Sequence, residues 1–148
     1  MKNTVQLHRV FSAPPERVFR AFTDPDALVK WMPPHGFSAH VEYAEISTGG
    51  SYRMYFTNFS TGTKHSFHGK YHQVIPNQLL RYTDHFDAPE LAGEIEVTIE
   101  LKEVSVGTEV RITQTGLPDV IPADACYLGW QESLQLLSFL VNPAIPDE

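Results

Sequence analysis

The residues of this chain best suited to acid–base work lie in LLRYTDHF, residues 79–86, which contains Tyr82, Asp84 and His85. If the segment is a strand, Tyr82 and Asp84 project from one face and His85 from the other. An inward Asp84 beside Tyr82 would orient a polar group of a ligand, and burial would raise its pKa. A rim position, where Asp84 accepts hydrogen bonds at the sheet margin, is the placement favoured. Acid–base catalysis by Tyr82, Asp84 or His85 would require those groups to converge within hydrogen-bond reach inside a pocket.

Other reactive residue types point to no recognisable chemistry. His65, His68 and His72 lie in HSFHGKYHQVI, where Phe67, Gly69 and Tyr71 take the inward phase and leave His68 and His72 to solvent. Gly69 there marks a bulge or a close backbone approach. No His-Glu-x-x-His or paired-cysteine spacing occurs, so no metal is expected. Gly49-Gly50 lacks the lysine and helix of a phosphate-binding loop and reads as a hairpin turn, and Gly-x-Ser-x-Gly is absent. Glu94, Glu96 and Glu100 share the solvated face of a strand. Cys126, the only cysteine, reads as a small buried or half-buried residue and favours a reducing compartment. No cofactor is expected.

A sheet must hold these residues. Residues 3–11 alternate Val5, Leu7, Arg9 and Phe11 with Thr4, Gln6, His8 and Val10. Ser12 then stands where it could cap a helix with Pro14 and Pro15 in its first turn, carrying Val18, Phe19 and Phe22. Thr23-Asp24-Pro25 ends that helix and starts a second over 25–31, with Leu28 and Trp31. From Phe37 the apolar period drops to two through Ala39, Val41 and Tyr43, then Tyr52, Met54 and Phe56, then residues 65–75 and 79–86. Ile95, Val97, Ile99 and Leu101 make the cleanest strand, and 108–115 the last. Residues 122–141 then predict a helix about 30 Å long, with Tyr127, Trp130, Leu134, Leu137 and Val141 on one face. Short turns between strands favour an antiparallel meander, with helix packed on sheet in an α+β fold.

The aromatic residues fall mostly on the inward phase of this plan. Trp31, Phe37, Tyr43, Tyr52 and Phe56 are followed by Phe67, Tyr71, Tyr82 and Phe86, with Trp130 on the helix. Each alone fits an ordinary core. Together with Met54, Asp84 and Leu134 they would line a cavity if the helix leaves space over the sheet, with tyrosine hydroxyls available to a ligand.

Composition narrows the partners. A chain of 148 residues is expected to form one domain, 1–148, and its formal charge of −7, with no lysine or arginine cluster, argues against nucleic acid. No apolar leader segment follows Met1-Lys2 and no run approaches the ~18 residues of a membrane span, so a cytoplasmic protein without membrane contact is expected.

Five stretches together resemble one family. They are APPERVFRAFTDP (13–25) with Leu28 and Trp31; Gly49-Gly50 with Tyr52 and Arg53; Gly69 with Pro76, Leu80, Tyr82 and Thr83; 97–109 closing on Gly107-Thr108; and Gly129-Trp130 with Leu134 and Leu137. In this order the chain resembles the START-like helix-grip proteins, and within them the C-terminal domain of the activator of Hsp90 ATPase. The resemblance implies a seven-stranded curved antiparallel sheet around the long C-terminal helix, enclosing an apolar cavity, as in START and Bet v 1-like proteins. It implies a binding protein for a small apolar or amphipathic ligand between sheet and helix. The alternatives are an enzyme of the polyketide cyclase or hydrolase kind, or an Hsp90-linked interaction domain. Against the last, these residues hold no counterpart of that activator's additional N-terminal domain. A homodimer through an exposed strand edge is left open.

Overall fold

The computed structural model describes residues 3–147. Met1, Lys2 and Glu148, the ends of the expected 1–148 domain and of its N-terminal leader reading, lie outside the described residues. The order is β1 (Val5–Phe11), α1 (Pro15–Thr23), α2 (Pro25–Trp31), β2 (Phe37–Ala44), β3 (Ser51–Asn58), β4 (Lys64–Ile75), β5 (Leu79–Phe86), a 3₁₀ turn (Pro89–Leu91), β6 (Ile95–Val104), β7 (Gly107–Thr115) and α3 (Ala123–Val141). The strands form one seven-stranded sheet in the order β1-β7-β6-β5-β4-β3-β2. Every pairing is antiparallel. The sheet curls into a half-barrel, the helix-grip arrangement.

That order decides where the short helices go. β1 and β2 are the two edges of the sheet, so α1 and α2, which join them, must cross from one edge to the other. Their apolar sides supply Val18, Phe19, Phe22, Leu28 and Trp31 to the core, all buried. Ser12 does not cap α1, as its position had suggested. Pro14 takes the cap position with extended backbone, φ −68° and ψ 155°, and leaves Ser12 to donate its N–H to Asn142 Oδ1 at 3.0 Å. Asp24 does cap α2, accepting from the Asp26 N–H at 2.9 Å.

Two bulges shift the strand phase, neither at Gly69. One lies between Val41 and Tyr43 in β2, the other between Tyr71 and Gln73 in β4. The first turns Tyr43, expected to face inward, to the outside, where it is 51% exposed. Gly69 instead permits a close approach: a Cβ there would stand 1.7 Å from the Thr83 carbonyl oxygen.

On α3 the buried stripe starts one step away from its expected line. Ala123, Cys126 and Trp130 are partly buried against the core, and Leu134, Leu137 and Val141 fully so. Tyr127 is displaced from it and stays 37% exposed. The helix packs on β1, α1 and α2. Its end is held by Arg17, whose Nε–H donates to the Val141 carbonyl at 2.8 Å.

Candidate functional site

Strand register brings Tyr52, Gly69 and Asp84 into one row across β3, β4 and β5. Gly69 has no side chain, and the Tyr52 ring uses that space. Its hydroxyl donates to the Thr83 carbonyl at 3.1 Å, and a Cβ on residue 69 would come within 2.6 Å of that hydroxyl oxygen. The next row holds Tyr71 opposite Tyr82. The three tyrosine rings meet as a cluster, with centroids 5.3 Å apart for Tyr52–Tyr71, 5.5 Å for Tyr71–Tyr82 and 6.1 Å for Tyr52–Tyr82. Burial pushes the hydroxyl pKa values of Tyr71 and Tyr82 upward, so both stay neutral donors.

Over this part of the sheet lie the crossing helices. Phe22, Leu28 and Met32 face the tyrosines, Met54 and Asp84 across a cavity of about 20 Å³. A water molecule needs roughly 10–15 Å³ of such space, so this one holds about one water. Asp84 Oδ1 is fully buried and has no protein hydrogen-bond partner. Removal from water raises the Asp84 carboxyl from 3.8 to about 7, since nothing charged nearby offsets the desolvation.

Asp84 is half-buried at the last β5–β6 pair, with Oδ1 in the cavity wall and accepting no protein hydrogen bond, unlike the hydrogen-bonded rim placement favoured. The cavity also differs in position from the one expected. It lies under α1 and α2, and no residue of α3 belongs to its wall. Residues of α1 and α2 stand over that part of the sheet, while α3 meets the inward face at Gln114 of β7.

Of the expected lining residues, Tyr52, Met54, Phe67, Tyr71, Tyr82 and Asp84 are brought together in that wall. Phe56 and Phe86 stand behind it, edge-on to Phe67 with centroids 5.1 and 6.3 Å away. Phe37 lies further out, half-buried and 6.3 Å from the His65 ring. Trp31 closes the α1–α2 corner instead. Its indole donates to the Ala21 carbonyl at 2.8 Å and packs edge-on to Phe22 at 4.8 Å. Leu134 is buried on α3, on the floor of an open outer groove beside β1. Tyr43 is outside altogether.

Trp130 joins a polar contact that the sequence did not point to. Gln114, the inward polar residue of β7 after Val110 and Ile112, accepts at Oε1 from the Trp130 indole at 2.9 Å and the Cys126 thiol at 3.0 Å. This links α3 to the sheet. Burial, and then the charge of Asp84, push the Cys126 thiol up to about 11, which keeps it unreactive as a nucleophile. The signal available was a glutamine in an otherwise apolar inward phase.

His85 does not join Tyr82 and Asp84. It stacks on His68 on the outer face with centroids 5.4 Å apart, and His68 Nδ1 lies 2.8 Å from Asp87 Oδ1. His72 also faces outward, 3.1 Å from Thr83 Oγ1. Among the described residues no group of three or more His, Cys, Asp or Glu side chains is placed to hold a metal ion.

Residues 12–142 match the family described as activator of Hsp90 ATPase homolog 1-like protein. Protein CV1439 from Chromobacterium violaceum has the same fold at a TM-score of 0.95, with 51% identity over 96% of this chain and 99% of that one. A protein from Rhodobacter sphaeroides is 25% identical over 93% of this chain and 90% of its own, with a TM-score of 0.79. One from Arthrobacter aurescens, 21% identical over 94% and 86% of the two chains, shares the fold at 0.83. No curated protein matches the chain.

Proposed function

The chain belongs to the activator of Hsp90 ATPase homolog 1-like family, and from that premise we propose that it binds a small apolar or amphipathic ligand between the sheet and its helices. The observation carrying this reading is Asp84 Oδ1, buried without a protein partner in a wall otherwise made of aromatic and aliphatic side chains. A buried polar atom left unpaired costs about 1–3 kcal/mol, which a ligand's donor group would offset. Pockets for small ligands join apolar walls with a few placed polar groups in this way, at volumes of roughly 300–1,000 Å³. Reaching that size from about 20 Å³ requires the cover to move. Met32 and Met54, unbranched and adaptable, are the wall residues suited to repacking.

A second reading has one observation in its favour. A carboxyl with a pKa of about 7 inside a cavity suits a general acid or base, so Asp84 would act with Tyr82 in a cyclase or hydrolase reaction. Partnership with Hsp90 rests on the family name, and adding the protein to an Hsp90 ATPase assay tests it. The same proposal places the protein in the cytoplasm. Among the described residues no helix is long and apolar enough to cross a membrane.

The test is a titration with N-phenyl-1-naphthylamine, a neutral apolar probe, followed by amide NMR. The expected result is shifts concentrated at Tyr52, Tyr71, Tyr82 and Asp84. Probe binding that leaves these amides unmoved would sink the reading.

A further inference from the structure

Resting on that ligand-binding reading, we infer that the cavity selects a ligand whose buried end is a protonated amine carried on an apolar body. Three features carry the inference. First, Asp84 Oδ1 is an acceptor with no protein donor, and its position in the wall fixes where a ligand N–H must point. Second, the wall contains no lysine, arginine or histidine. A ligand carboxylate or phosphate would be buried beside Asp84 with no counter-charge, the costliest arrangement for an anion. Third, Tyr52, Tyr71 and Tyr82 form a three-ring cluster, with centroids 5.3–6.1 Å apart, in the wall that contains Asp84. Aromatic faces attract cations through the ring quadrupole, and they do so more strongly where water is excluded.

A neutral hydroxyl would also donate to Asp84, but an ammonium adds the attraction of opposite charges, which is strengthened where water is excluded. The geometry therefore ranks amine above alcohol above carboxylate for one and the same apolar body. The tyrosines and the carboxyl all belong to the sheet side of the cavity, so one ammonium group would meet the rings and Asp84 from that side.

The experiment compares 2-phenylethylamine, 2-phenylethanol and 3-phenylpropionate by calorimetry at pH 8, on the wild-type chain and on Asp84→Asn. The amine is expected to bind at least tenfold more tightly than the alcohol, with the carboxylate weakest. In Asp84→Asn the amine should fall to the level of the alcohol. Amide NMR of the wild type with the amine supplies a readout independent of the variant, and the shifts should centre on Asp84 and Tyr82. Equal binding of all three probes, or tighter binding of the carboxylate, would overturn the amine inference and leave the ligand-binding reading standing. Binding of none of them would overturn both.

Discussion

Replacing Asp84 with asparagine should change how stability depends on pH. The carboxyl holds its proton up to a pKa of about 7 in the folded chain, against 3.8 for an ordinary carboxyl. Protonation thus favours folding: the stability it supports is fully present below pH ~4 and is lost as pH rises through 7. A shift of about three units corresponds to about 4 kcal/mol in all, of which roughly 2.5 kcal/mol falls between pH 5 and pH 8.5. Asparagine keeps the shape and loses the charge. The assay is urea unfolding of both proteins at pH 5, 7 and 8.5. The variant should gain on the wild type by roughly 2.5 kcal/mol across that range, whatever its offset at pH 5. Histidines titrate in both chains and cancel in the difference. Parallel profiles would refute the reasoning, because they would mean that Asp84 ionises as freely folded as unfolded.

Three further substitutions test the surroundings. Gly69→Ala puts a methyl group 1.7 Å from the Thr83 carbonyl oxygen, so β4 and β5 must part and chemical unfolding should register a loss of about 3 kcal/mol. Gln114→Leu leaves the Trp130 indole and the Cys126 thiol without their shared acceptor. A loss of about 1–3 kcal/mol is expected, together with faster thiol labelling of Cys126 by an alkylating reagent. Ser133→Ala removes the 2.6 Å hydrogen bond from α3 to the Met32 carbonyl at the end of α2. Stability should fall by about 1 kcal/mol, and amide hydrogen exchange in α2 should quicken while that of β6 stays unchanged.

Much of this architecture was legible from apolar spacing. The alternation of Ile95, Val97, Ile99 and Leu101 is that of β6, and all of them are buried. The tandem of short helices, broken at Thr23-Asp24-Pro25, also followed from local chemistry. What escaped was phase and placement. A bulge after Val41 or Tyr71 carries no residue type of its own, yet each one reverses the parity of everything beyond it. That is why Tyr43 was read on the wrong face. Ser12 was read as a cap because its type suits one, but Pro14 already held the extended backbone needed. The cavity wall was partly legible: Tyr52, Met54, Phe67, Tyr71, Tyr82 and Asp84 of the sheet were named, whereas Leu80 of β5 and Phe22, Leu28 and Met32 were not. Periodicity gives a helix its apolar side and does not say which strands that side will meet. Only the strand order, with β1 and β2 at opposite edges, settles that question.

The pairing of β1 with β7 also governs how the chain can reach this state. Val5 lies opposite Gln114 and Phe11 opposite Thr108, so the first strand made finds its neighbour among the last. Asn142 then closes on Ser12 from still further along. During synthesis β1 must wait, unpaired, until β7 has emerged, while β2 to β6 can zip together as successive hairpins. Contacts between such distant residues are the slow kind. The late-closing seam along β1 is therefore the expected rate-limiting event, and a chain stopped before β7 leaves its first strand exposed as an unpaired edge.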